Sequence, residues 1–110
     1  MTMEPQIQTL IDKFRKRMAN DEEARKDVQP LKKTFNIDLG SEAYSMRLDN
    51  AEIHDFKPML LPEADILLTT TPETLQALID GNLRPMRAYI TKKIAIKGKI
   101  QDMMFLKKFF

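Results

Sequence analysis

Ile7, Leu10, Ile11, Phe14 and Met18 recur at intervals of three and four residues with charged residues between them. That spacing lines one side of an α-helix and predicts an amphipathic helix over residues 4–19. The polar stretch "NDEEARKDV" continues helically: Asn20 or Asp21 can cap a second helix, Glu22 and Glu23 suit the positive end of its dipole, and Pro30 closes it. Beyond Pro30 the period changes to two. "TFNIDL" places Phe35, Ile37 and Leu39 on one face, Gly40 and Ser41 offer a turn, and "AYSMRL" returns with Tyr44, Met46 and Leu48 on one face, which predicts a hairpin with one wet side. Asp49 and Asn50 supply the next turn before "AEIHDF", a weaker strand, and the prolines between Lys57 and Pro62 favour a loop or edge.

"ADILLTT" reads as a buried strand. Thr71, Pro72 and Glu73 then form a strong helix start, Leu75, Leu78 and Ile79 supply its apolar stripe, and Gly81 suits a left-handed cap. Pro85 can begin a short helix with Met86, Tyr89 and Ile90 on one side. In "KKIAIKG", Ile94 and Ile96 alternate with Lys93 and Lys97, predicting a last strand that ends at Gly98. Strands and helices segregated in this way predict an α+β fold: about five strands, largely antiparallel, with helices covering one face.

The remaining segment, "KIQDMMFLKKFF", has an apolar surplus. As a helix it would carry Ile100, Met103, Met104 and Phe110 on one side and Phe105 with Phe109 on roughly the opposite side. Leaving both phenyl rings in water would forgo about 3–6 kcal/mol of burial. The protein's own core, a second subunit or an apolar ligand could each cover them.

Composition narrows the chemistry. One domain accounts for 110 residues that are 43% apolar and 31% charged. The absence of cysteine excludes disulfides and thiolate metal sites. No apolar run approaches the roughly 20 residues of a membrane-spanning helix, so a soluble, intracellular protein is expected. Eight methionines and no tryptophan favour adaptable apolar surface. Charge is unevenly spread: residues 1–80 carry a net −5 and residues 81–110 a net +7. A cationic surface beside apolar side chains suits anionic lipid headgroups or a fatty carboxylate.

Catalytic constellations are missing. His54 is the single histidine, and the carboxylate pairs Asp21 with Glu22 and Asp49 with Glu52 belong to a cap and a turn, where solvation keeps acids ordinary. Three scattered glycines make no phosphate loop. The basic third has neither a recognition helix nor an aromatic-studded strand pair for nucleic acid. The expectation is therefore a non-enzymatic protein without cofactor, metal or nucleic-acid partner.

The run from Glu63 to Leu106, "EADILLTTTPETLQALIDGNLRPMRAYITKKIAIKGKIQDMMFL", resembles the C-terminal half of the sterol carrier protein 2 family. The parts follow in order: an "AD" strand ending in hydroxyl residues, a helix closed by "DGNLRP", an aromatic-bearing short helix, an "IKG" strand and a Met-rich end. Upstream, the amphipathic helix and the strands "TFNIDL" and "AYSMRL" agree in order and type. The resemblance implies a five-stranded sheet with helices on one face around an apolar cavity. It also implies non-enzymatic binding, and in some members transfer, of sterols, fatty acids, fatty acyl-CoA or phospholipids. Three positions depart from the family pattern: Lys92 stands where glycine is usual, Ala95 replaces a strand lysine, and Arg84 replaces the asparagine before Pro85. The ending Lys108, Phe109, Phe110 lacks the small-residue/Lys/Leu peroxisomal address, so a cytoplasmic location is expected.

Taken together, the apolar surplus and the resemblance point to Leu75, Leu78, Ile79, Met86, Ile90, Met103, Met104, Phe105 and Phe109 as a lipid-cavity lining. Arg87, Lys92, Lys97 and Lys99 are the expected attraction for an anionic headgroup or membrane surface. The alternative is a homodimer or other protein partner seated on the C-terminal segment.

Overall fold

The computed structural model describes residues 2–99. The expected C-terminal helix, with Met103, Met104, Phe105 and Phe109, lies outside the described residues. Helices α1 (Glu4–Asn20) and α2 (Glu22–Val28) precede strands β1 (Lys32–Asp38), β2 (Ala43–Asp49), β3 (Glu52–Lys57) and β4 (Ile66–Thr69). Helices α3 (Pro72–Ile79) and α4 (Pro85–Ile90) and strand β5 (Ala95–Lys97) follow. The sheet has five strands in the order β3-β2-β1-β4-β5. It is antiparallel except where β1 runs parallel to β4.

The amphipathic stripe of α1 is buried as its spacing requires: Ile7, Leu10, Ile11, Phe14 and Met18 all enter the core. Asp21 caps α2 by accepting the Ala24 N–H at 3.0 Å. Phe35 and Ile37 of β1, Tyr44, Met46 and Leu48 of β2, Ile53 of β3 and Ile66 of β4 meet α1, α2 and Leu75 of α3 in one apolar cluster. Glu42 ties the β1–β2 turn to the start of α1, accepting from the Met3 N–H at 2.6 Å and the Tyr44 hydroxyl at 2.5 Å. Burial, together with that carboxylate contact, raises the Tyr44 phenol above its ordinary pKa.

Two features alter the hairpin expected from the alternation. Its second face is not wet at the centre: Asn36 and Ser45, paired across β1 and β2, are both buried. Asn36 donates to the Leu61 carbonyl at 3.0 Å and accepts the Leu61 N–H at 2.8 Å, which pins the proline-flanked loop over that face. In β3, Arg47 pairs with His54 and Ser45 with Lys57, so Asp55 and Phe56 together oppose Met46. Asp55 takes φ 56° in this bulge. The extra residue returns Phe56 to the core side, where its ring stacks on Tyr44 at 5.6 Å between centroids.

The parallel pairing is fixed by a side chain. The Asp65 carboxylate accepts the Thr34 N–H at 2.9 Å, while the Asp65 N–H donates to the Thr34 hydroxyl at 3.0 Å, so β4 enters beside β1 in register. At the other end, Thr70 N–H donates to the Asp38 carbonyl and Thr70 Oγ1 to the Lys93 carbonyl, each at 3.0 Å. Thr70 thus joins β1, β4 and the approach to β5.

Candidate functional site: a cleft between α3 and α4

Local sequence sets both walls. Thr71 accepts the Thr74 N–H at 3.2 Å and starts α3, whose Leu78 and Ile79 face inward at its end. Gly81, at φ 78°, reverses the chain, and Pro85 starts α4 four residues later. Helix α4 docks through Ala88, which is fully buried with Leu68, Leu78 and Ile94; Leu83 and Ile96 pack against the group. The small side chain admits close approach to the sheet. Met86, Tyr89 and Ile90, expected to share one side of this helix, are all exposed, with Ile90 71% accessible.

Between these walls lies a cleft of about 660 Å³, lined by Leu78, Ile79, Gly81, Leu83, Arg84, Pro85 and Met86. This falls within the size range of small-molecule pockets, about 300–1,000 Å³. Of the residues expected to line a cavity, Leu78, Ile79 and Met86 come together here. Leu75 sits fully buried in the main core against α1, and Ile90 projects from the rim. Arg87, Lys92, Lys97 and Lys99 are all exposed along α4, the bend after it, and β5 with its end. The sequence reading missed Gly81, Leu83, Arg84 and Pro85 as lining. The stretch joining two antiparallel-capable helices had to border any space between them, and that was the available signal.

Candidates for other chemistry are dispersed. His54 Nε2 lies 3.5 Å from Glu52 on β3. Asp21 is occupied as a cap, and Asp49 accepts from Arg47 at 3.2 Å. Among the described residues, no group of three or more His, Asp or Glu is placed to hold a metal ion, and no helix is long and apolar enough to cross a membrane.

The sequence matches the SCP-2 sterol transfer family over residues 11–110. Among solved structures, it is similar to palmitated SCP2L2 from Aedes aegypti, with 19% identity, 93% of this chain and 91% of that one covered, and a TM-score of 0.61. It is also similar to the ubiquinone synthesis protein UbiJ-SCP2, with 15% identity, coverage of 94% and 88% respectively, and a TM-score of 0.65. A third likeness is to the stereoselective inverting sec-alkylsulfatase Pisa1 from Pseudomonas sp., at 16% identity over 76% of this chain with a TM-score of 0.62. The chain spans only 13% of the alkylsulfatase. At these identities the likeness is one of fold. No curated protein matches the chain.

Proposed function

This chain belongs to the SCP-2 sterol transfer family, a family of lipid-binding and lipid-transfer domains, and from that premise we propose that it binds an apolar lipid in the cleft between α3 and α4 and carries it without chemical change. Its ligand is a fatty acid, fatty acyl-CoA, sterol or phospholipid, with a flexible acyl chain favoured over a rigid sterol. The observation that carries the reading is the cleft itself. Leu78, Ile79, Leu83, Pro85 and Met86 offer apolar lining, and Arg84 is the one cationic side chain among the described lining residues. That combination suits a chain with an anionic end, because the guanidinium can take a carboxylate or phosphate while the stem of the ligand is removed from water. The adaptable Met86 suits a flexible ligand, and the Aedes aegypti neighbour is described as palmitated. On this reading Met103, Met104, Phe105 and Phe109 complete the lining, and Arg87, Lys92, Lys97 and Lys99 bring the protein to an anionic membrane surface in the cytoplasm.

Native mass spectrometry with organic extraction tests the proposal: a co-purifying lipid, or saturable uptake of a fluorescent fatty acid, is the expected result. No uptake by either measurement overturns it. A second reading is favoured by the exposure of Met86, Tyr89 and Ile90 at 36%, 45% and 71%: the same face seats a second subunit. Sedimentation distinguishes the two, because a dimer that dissociates on Phe105→Asp with Phe109→Asp, without loss of lipid, supports the second.

A further inference from the structure

A second cleft, of about 470 Å³, lies over the opposite edge of the sheet, where α1 ends, α2 crosses and the β2–β3 turn rises. It shares no lining residue with the first. Met18, Ala19, Ala51 and Ile53 provide apolar wall, while Arg15, Arg25, Asn50, Glu52 and His54 provide polar groups. We propose that this cleft binds a small organic phosphate bearing a flat or apolar body.

Two guanidiniums, Arg15 from α1 and Arg25 from α2, line this cleft. Among the described residues the side chain of Arg15 makes only long contacts: Nη1 is 3.5 Å from Asp12 Oδ1, and Nη2 donates to the Ile53 carbonyl at 3.4 Å. These hold the guanidinium at the cleft while leaving it capacity for further acceptors. The Arg25 guanidinium, arriving from α2, has no hydrogen-bond or ion-pair partner among the described residues. Asn50 uses its carboxamide oxygen to accept from Gln29 at 3.0 Å, and its NH₂ group has no such partner. The opposing carboxylate in the lining is Glu52, which lies 3.5 Å from His54 Nε2.

The number of donors favours a phosphate over a carboxylate. A carboxylate presents two oxygens in one plane, and one bidentate fork can use both. A tetrahedral phosphate monoester presents oxygens in several directions and can accept from two guanidiniums that come from different helices, with the Asn50 amide as a further donor. Beside the cations the cleft floor is formed by the edges of Met18, Ala51 and Ile53, whose bulk is buried in the core, together with the exposed Ala19, and this small apolar seat gives the organic part its place. The backbone that builds the site is unusual in the same place: Asn50 and Ala51 hold φ 54° and 61°, forming the two-residue turn that lifts both into the lining. This inference does not rest on the lipid reading.

The test is an amide-resolved NMR titration of the full chain with adenosine monophosphate, adenosine and inorganic phosphate as separate probes. Adenosine monophosphate should shift amides within residues 15–25 and 50–54, and adenosine and inorganic phosphate should each bind at least about tenfold more weakly. Arg25→Gln should weaken the adenosine monophosphate response about tenfold or more, the expected scale for a lost charge-assisted hydrogen bond. Lys26→Gln, one position along the same helix, should leave it within about twofold because rim charges are largely screened. The proposal is overturned if no probe shifts these amides, if inorganic phosphate binds as well as the nucleotide, or if Arg25→Gln and Lys26→Gln have equal effects.

Discussion

Helices α3 and α4 both begin at proline, and both end in the same pair of backbone bonds. After α3, Gly81 N–H donates to the Leu78 carbonyl at 3.2 Å and Asn82 N–H to the Ala77 carbonyl at 3.0 Å. After α4, Lys92 N–H donates to the Tyr89 carbonyl at 3.1 Å and Lys93 N–H to the Ala88 carbonyl at 2.8 Å. This is a Schellman closure in each case. The side chains that specify it differ. At α3 a threonine caps the start and glycine occupies the left-handed position; at α4 Arg84 makes no capping bond and Lys92 is held at φ 61°. A non-glycine residue in that region costs about 1–2 kcal/mol. Helix α3 is thus specified by its own sequence, whereas α4 is held in place by what Ala88 packs against. The cleft between them has one locally determined wall and one borrowed wall.

The sharpest way to break the contrast is Ala88→Asp. Burying a carboxylate where α4 meets Leu68, Leu78 and Ile94 should cost about 3–5 kcal/mol and detach α4, read by urea unfolding and by loss of fatty-acid uptake. Leu78→Ala removes the side chain shared by the cleft and the α4 cluster; a loss of about 2–4 kcal/mol is expected, with a larger cleft that accepts bulkier fluorescent ligands. Exchanging the caps should give opposite signs. Gly81→Ala meets no atom within 4 Å, so its cost of about 1 kcal/mol would come from the backbone alone, and Lys92→Gly should raise the stability by about as much. The smallest effect should come from Arg84→Asn, which supplies the missing cap and should add about 0.5–1 kcal/mol in thermal unfolding. If Lys92→Gly and Arg84→Asn both destabilise, α4 is not the under-specified wall.

What the sequence made legible follows the same division. The stripe of α1, the caps Asp21 and Thr71, and the glycine closing α3 are local signals, and each appears where its chemistry places it. The buried side of α4 was hidden because its anchor is an alanine, which carries little weight in an apolar pattern, while its large residues Met86, Tyr89 and Ile90 face outward. The bulge at Asp55 leaves only a faint trace in "IHDF", where Ile53 and Phe56 stand three residues apart and strict alternation would put them on opposite faces; pairing to β2 is what places the extra residue. Burial of Asn36 and Ser45 likewise depends on the loop that Leu61 anchors from 25 residues away. For the cleft, Leu78, Ile79 and Met86 were found by spacing, and the connecting residues were missed because turns show no periodicity. The expected contributions of Met103, Met104, Phe105 and Phe109 lie beyond the described residues.

The parallel pairing of β1 with β4 also orders the assembly of the molecule in time. Strands β1, β2 and β3 are joined by short turns and form a meander from local contacts. Strand β4 reaches β1 only after a closure such as that between Thr34 and Asp65, 31 residues apart, and β5 depends on β4. The entropy of that closure precedes any gain from pairing. The edge of the sheet against which α4 packs is therefore expected to arrive last and leave first, and native-state amide exchange should show earlier opening of β5 than of β2. On the proposed lipid-binding reading, a ligand would enter or depart by detachment of one late-folding edge, with the meander and α1 still assembled beneath it.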